Sequence, residues 1–243
     1  MPAATSTEGP RVWEAVLAHI EKQLRTGELS LGGRLPSERA LAAELNVGRS
    51  SVREAIRALE ILGLIRTQTG SGLSAGATLI DSSEQGMTAL LRLQLAAQNF
   101  AVEDILHTRL LLETEVMRTL AGRRSPDVDA TALLDRMDDP GLSREEFLHL
   151  DAALHLHFAR AAGNSVIAAT MAGLRSAIEG YVIAGSRRLP SWDATVARLR
   201  TEHRAIVAAV DSGDGELAAR LVHDHIVGYY AETGLRSTTP RHP

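Results

Sequence analysis

The chain has no cysteine, which excludes disulfides and thiolate metal sites, so any metal must be held by His, Asp or Glu. Nine histidines leave that route open. Apolar residues make up 44% of the sequence, yet no apolar run approaches the roughly 18 to 20 residues that a membrane span needs. The N-terminus also lacks the charged-then-apolar pattern of a signal peptide. A soluble, cytoplasmic protein without a membrane partner is expected. Alternation of period two is scarce outside residues 64 to 79, which leaves little room for sheet. There is no general excess of positive charge either, because the formal net charge is -4. Residues 11 to 73 nevertheless carry nine Lys/Arg against seven Asp/Glu, whereas the rest carries 17 against 23. A contact with nucleic acid would rest on a few placed arginines, with an acidic body facing solvent.

What is present is helical periodicity over a length that suits two domains, 243 residues. Residues 1–10 read as a disordered arm and 234–243 as a tail, with a first unit over 11–76, a linker over 77–82 and a helical second unit over 83–233. In the first unit, Val12, Val16, Leu17, Ile20 and Leu24 recur at helical spacing up to Gly27. Ser37 offers an N-cap for a short second helix that ends near Asn46, and Ser51-Val52-Arg53-Glu54 matches a capping box that would open a third. Two strand-like pieces, Leu64–Arg66 and Leu73–Ala75, flank Gln68-Thr69-Gly70-Ser71-Gly72 as a small hairpin. From residue 83 on, seven helical stretches are broken at Asn99, Gly122 to Pro126, Asp139-Pro140-Gly141, Gly163, Pro190 and Gly213 to Gly215. The expected fold is mainly α: an N-terminal winged helix-turn-helix with a hairpin wing, then an antiparallel all-α bundle of about six or seven helices.

In such a unit the third helix enters the major groove N-terminus first. Arg49 and Arg53 stand four apart at that end, where each could fork onto a guanine edge or a phosphate, and Ser50 and Ser51 add short hydroxyl donors. Arg34 and Arg39 are placed to clamp flanking phosphates.

In the second unit, Asp151 and His155 lie four apart and share a helix face. At about 100° per residue from Phe147, the stripe of Phe147, Leu154, Phe158 and Ala162 centres at about 20°, with Asp151 at about 40° and His155 at about 80°. Both point inward, whereas His149 and His157 point away. The same test sets His203 in the row of Val196, Leu199, Ile206 and Val210, and His225 on the face of Leu217, Leu221 and Tyr229. Each alone reads as a hydrogen-bonded core residue. Together, an inward Asp and three inward His on three helices point to a divalent cation that satisfies them jointly.

Two segments carry a family resemblance. Arg34-Leu35-Pro36-Ser37-Glu38-Arg39-Ala40-Leu41-Ala42, Val47-Gly48-Arg49-Ser50-Ser51-Val52-Arg53-Glu54-Ala55-Ile56 and Leu59-Glu60-Ile61-Leu62-Gly63-Leu64-Ile65 resemble the GntR family of repressors. That resemblance implies DNA contacts at Arg39, Arg49 and Arg53, then at Ser50, Ser51 and Gly70; the family's usual wing-tip arginine is replaced by Ser71. Asp151-x-x-x-His155, Phe158, Ala162-Gly163-Asn164, Glu202-His203-Arg204-Ala205-Ile206 and His225-Ile226 resemble the FCD ligand-binding domain of the FadR subfamily. The resemblance implies that Asp151, His155, His203 and His225 hold zinc, or nickel or manganese, and that Arg109 and Asn164 face an effector. Arg109 could equally form a plain helix pair with Glu113.

The expected protein is a homodimeric, non-enzymatic transcription regulator, a repressor, that binds a pseudo-palindromic double-stranded operator and responds to a small organic acid held beside the metal. Two alternatives stay open. A metal-dependent hydrolase or isomerase fused to a DNA-binding module would need a general base, for which Glu202 is the one nearby candidate. A bundle with a purely structural ion would lack effector control.

Overall fold

A computed structural model of the chain describes residues 12–68, 76–80, 83–123 and 127–234. The chain divides into two compact units, Met1–Gly86 and Met87–Pro243. In the first, helices α1 (Val12–Thr26), α2 (Glu38–Leu45) and α3 (Arg49–Ile61) precede strands β1 (Ile65–Gln68) and β2 (Gly76–Leu79). Val16, Ile20, Leu41, Val52, Ala55 and Ile65 form its core, since the apolar positions of each helix fall on one face. The strands pair antiparallel from Ile65↔Leu79 to Gln68↔Gly76, and Arg34 bridges to Thr78 on the far side of β2. These elements form a winged helix-turn-helix.

Two local expectations are corrected here. Helix α3 opens at Arg49 behind Gly48, which has no side chain to cap it, rather than at a Ser51–Glu54 capping box. The amides of Ser51 and Val52 both reach the Gly48 carbonyl, so Ser51 already lies within the first turn. The first half of the linker expected at 77–82 is also occupied by β2, because Ala77 and Leu79 are buried and Leu79 pairs with Ile65. The wing tip, with Gly70, Ser71 and the strand expected at 73–75, lies outside the described residues, as do the N-terminal arm and all of the tail beyond Gly234.

Helix α4 (Ser83–Ala96) spans the boundary between the units, and six more follow: α5 (Val102–Ala121), α6 (Val128–Met137), α7 (Arg144–Ala161), α8 (Ser165–Ser186), α9 (Trp192–Asp211) and α10 (Gly215–Thr233). Helix α10 packs along α5 and α9, and α7 lies between α6 and α8. Phe147, Leu154, Phe158, Met171, Leu199 and Tyr230 are central to the core. Side-chain caps set the helix starts: Ser143 with Glu146 in a capping box on α7, Asp127 on α6, Ser191 on α9 and Asp214 on α10. One helix departs from the expectation that no run is long enough to span a bilayer. By length and composition alone α8 qualifies, with a mean hydropathy of 1.3 over 18 residues, because Ala fills many of the positions between its larger apolar side chains and few charges interrupt them. Ala168, Met171, Leu174 and Ile178 nonetheless bury one face of α8 in the bundle.

Gly86 marks a close approach that only glycine permits: a Cβ there would sit 2.1 Å from the Leu62 carbonyl oxygen at the end of α3. Gly86→Ala is expected to destabilise the protein by about 1–3 kcal/mol in urea unfolding, through overpacking against backbone. Gly180→Ala in α8, where nothing lies within 4 Å, serves as the control. It should gain up to about 1 kcal/mol from helix propensity.

Candidate functional site

Helix α7 carries Asp151 and His155 one turn apart, α9 brings His203 and α10 brings His225. The potential ligand atoms of these four residues all lie within 4.8 Å of one another, and the three imidazoles are buried. Their geometry centres on a single oxygen. Asp151 Oδ1 is 3.0 Å from His203 Nε2, 3.7 Å from His225 Nε2 and 3.8 Å from His155 Nε2. Two of the rings are held from behind: His155 Nδ1 donates to Glu113 Oε2, and His225 Nδ1 donates to Glu202 Oε2 at 2.8 Å. Those bonds leave both Nε2 atoms unprotonated and facing Asp151 when the rings are neutral, the arrangement that orients metal-binding histidines. Neither nitrogen of the buried His203 makes a well-formed hydrogen bond among the described residues. An orphaned imidazole within a three-nitrogen, one-oxygen donor set fits a divalent cation of the zinc type.

The electrostatics agree with that fit. Burial pushes the Asp151 carboxyl up, but the neighbouring His155, His203 and His225 rings and the Arg175 guanidinium hold it well below the usual carboxylate range. Burial, with His225 beside it, lowers His203 to about 4, which keeps its ring neutral and able to ligate at neutral pH. His155 is lowered by burial against the pull of Glu113, whereas His225 is raised because Asp151 and Glu202 outweigh its burial.

Behind the histidines lies a layer of buried charge. Arg109 Nε donates to Glu113 Oε1 at 2.9 Å and Arg109 Nη1 to the Tyr230 hydroxyl at 2.8 Å. The helix pair is therefore formed, but inside the bundle. Arg175, on α8, donates from Nη2 to Asp151 Oδ2 at 2.7 Å, while its Nε and Nη1 are buried and have no hydrogen-bond partner among the described residues. Arg109, Asp151 and Arg175 line two adjoining cavities: one of about 30 Å³ that reaches His155 and His225, and a larger one of about 210 Å³ between α7 and α8.

Sequence reasoning missed Arg175, although a lone arginine on an otherwise apolar helix was a usable signal. Asn164 does not line either cavity. It is exposed, and its carboxamide oxygen accepts from the amides of Val166 and Ile167 as the N-cap of α8. His157, read as a surface residue, is half-buried and holds both oxygens of Asp127 at 2.8 and 2.7 Å. Glu202, the sole candidate base for a hydrolase, is engaged by His225 and by Arg198 Nη1 at 2.6 Å.

In the first unit, Arg49, Ser50 and Arg53 are exposed on the first turns of α3 with Ser51 half-buried beside them, and Arg39 is exposed on α2. Arg34 is exposed where its backbone bridges to Thr78. Glu38 faces the α3 arginines: Arg53 forks onto it at 3.3 and 3.0 Å, and Arg49 Nη2 stands 3.9 Å away.

A helix-turn-helix with basic residues at the tip of its third helix, in a chain whose second unit is a bundle with a histidine-lined site, defines a DNA-binding protein with a candidate ligand site. Residues 13–74 match the model of bacterial regulatory proteins of the gntR family, and residues 104–228 match the FCD domain. The chain belongs to the GntR family of transcriptional regulators, with an FCD domain as its second unit. It is 31% identical over 221 residues to the HTH-type transcriptional regulator LutR of Bacillus subtilis, covering 86% of this chain and 98% of that one. It is also 28% identical to the HTH-type transcriptional repressor NanR of Klebsiella aerogenes (88% and 82% covered) and 30% identical to the Glc operon transcriptional activator of Escherichia coli (88% and 86% covered). The fold is shared with the Streptococcus agalactiae GntR structure, at a TM-score of 0.63 and 22% identity over 94% of this chain and 100% of that one.

The buried layer makes a stability prediction. Glu113→Gln deprives His155 of a charged acceptor and Arg109 of its counter-charge, so chemical denaturation should show a loss of about 3–5 kcal/mol. Glu179→Gln, which breaks the exposed 2.8 Å pair with His149, should stay within about 0.5 kcal/mol of the parent.

Proposed function

We propose that this regulator acts in the cytoplasm as a homodimeric repressor on a short pseudo-palindromic operator, and that a small carboxylate bound beside a divalent ion tunes its grip on DNA. The observation that carries this is the convergence of three imidazole Nε2 atoms on one oxygen of Asp151, beside cavities lined by Arg109 and Arg175. Asp151, His155, His203 and His225 would hold the ion. Zinc suits a set of three nitrogens and one carboxylate, with nickel or manganese as alternatives. When bound, the ion supplies a Lewis-acid centre that attracts a carboxylate oxygen.

The chain's own residues do the rest. Glu113 and Glu202 fix the ring orientations of His155 and His225, and Arg109 and Arg175 set a positive field at the cavity. The ordering of α7, α9 and α10 around the filled site is the means by which occupancy reaches the DNA-reading units, and the coupling must be reciprocal. On DNA, Arg49 and Arg53 meet base edges or phosphates in the major groove, Ser50 and Ser51 add hydroxyl contacts, and Arg34 and Arg39 clamp the backbone. The relatives' names include a repressor and an activator, so the direction of control is tested separately from DNA binding.

Three measurements test this. Metal analysis of purified protein should find one ion per chain, and Asp151→Ala should lose it. In gel-shift titration, chelation or an organic acid should change operator affinity; loss of thermal stability on chelation with no change in operator affinity would instead mark the ion as purely structural. Arg49→Ala should weaken specific binding by about 1–3 kcal/mol. Unchanged affinity would remove Arg49 from the contact set.

A further inference from the structure

The two adjoining cavities differ in a way that bears on the ligand. The one that reaches His155 and His225, about 30 Å³, has room for an ion and a water-sized group but not for a whole metabolite. The neighbouring chamber, about 210 Å³, is larger than the roughly 150 Å³ cavity known to take up benzene. Its walls are Leu148, Ala152, Leu156, Ile178, Val182 and Ile183. Polar groups enter it at two places. At the inner end stand Asp151, Arg109 and Arg175; the others are Ser176 and the His149–Glu179 ion pair, whose side chains are largely exposed to solvent. The apolar walls offer nothing to satisfy hydroxyl groups along a ligand's body, and a buried hydroxyl without a partner is costly.

The two inner arginines are not equivalent. Arg109 has donors committed to Glu113 and Tyr230. Arg175 binds Asp151 through Nη2 alone and keeps Nε and Nη1, both buried, without a hydrogen-bond partner among the described residues. Arg175 Nη1 comes no nearer than 3.7 Å to Glu113 Oε1. Unpaired guanidinium donors at the junction of a small polar cavity and an apolar chamber call for an anionic head with an apolar body behind it.

We infer that the effector is a compact monocarboxylate with an apolar alkyl or aryl body, rather than a hydroxy acid, sugar acid or dicarboxylate, and that Arg175 is the residue that grips its carboxylate. This rests on the carboxylate-effector reading above and narrows it. The carboxylate sits against Arg175 beside the metal ligands, and the body fills the chamber between α7 and α8.

The test is calorimetric titration of the full-length, zinc-loaded protein with acetate, butanoate, hexanoate and benzoate, and with L-lactate and succinate. Affinity should rise about fourfold per methylene along the alkyl series, with benzoate among the tight binders and L-lactate and succinate below butanoate. Leu156→Gln, at a half-buried wall position, should flatten the alkyl series and leave acetate unchanged. Arg175→Gln, with Arg175→Lys as the charge-preserving variant, should weaken every carboxylate tenfold or more while zinc stoichiometry holds. A flat alkyl series, or L-lactate or succinate binding more tightly than butanoate, would overturn the apolar-body inference and leave the carboxylate reading standing. Acetate binding unchanged in both Arg175 variants would overturn the role given to Arg175. Failure of every carboxylate, acetate included, to bind would sink the underlying reading itself.

Discussion

Asp151 is a carboxylate enclosed by three imidazoles on one oxygen and a guanidinium on the other, and the second unit is arranged around its charge. A lone ionised carboxylate in a protein interior is costly enough that it ordinarily takes up a proton. Here the partners keep it ionised. Glu113, equally buried, is held low by His155, Arg109 and Arg175 against its own burial. The two acids and the two guanidiniums cancel, so the layer is close to neutral when the histidines are neutral. A divalent cation added to a neutral layer leaves two positive charges in a low-dielectric site, and that imbalance draws in an anion. The proposed acid ligand is thus supported by the charge balance of the site as well as by any single contact.

This arrangement also explains why the bundle needs the helices it has. Asp151 and His155 come from α7, Glu113 and Arg109 from α5, Arg175 from α8, His203 from α9, and His225 and Tyr230 from α10. Five helices must therefore be in register at one level for the charges to compensate. Side-chain caps on α7, α8, α9 and α10 fix where each of those helices begins, and so the phase with which each presents its polar residue to the centre. A polar centre of this kind specifies the packing of the surrounding apolar residues more tightly than apolar contacts alone, because a slip by one residue would leave a buried charge unpaired.

Much of this was legible in the sequence, for a physical reason: helical phase is set by position alone. Asp151, His155, His203 and His225 could be assigned inward because each shares a face with apolar neighbours, and the bundle buries that face. Arg175 escaped the same test because nothing in its local pattern names its partner, which lies on a different helix. Asn164 shows a local role that the family motif did not indicate: a carboxamide just before an apolar helix satisfies the free amides of its first turn. At α3 the Ser51–Glu54 spacing imitated a helix start, yet the helix begins three residues earlier, with Gly48 in ordinary extended backbone as its N-cap. The boundary drawn at residue 77 failed because a strand of four residues is too short to show alternation when its partner is unknown.

The DNA-facing end obeys a similar logic of compensated charge, but in solvent. Glu38 holds Arg53 in a two-pronged pair and sits within reach of Arg49, and those hydrogen bonds lower its own pKa. Such exposed pairs are screened by water and salt, so the carboxylate cannot block the arginines from a phosphate or a guanine. What it does is limit the directions in which Arg53 points before DNA arrives, which reduces the side-chain entropy lost on binding. The acid beside the recognition helix therefore shapes how Arg53 is presented, just as Asp151 orders the charges around the candidate metal site.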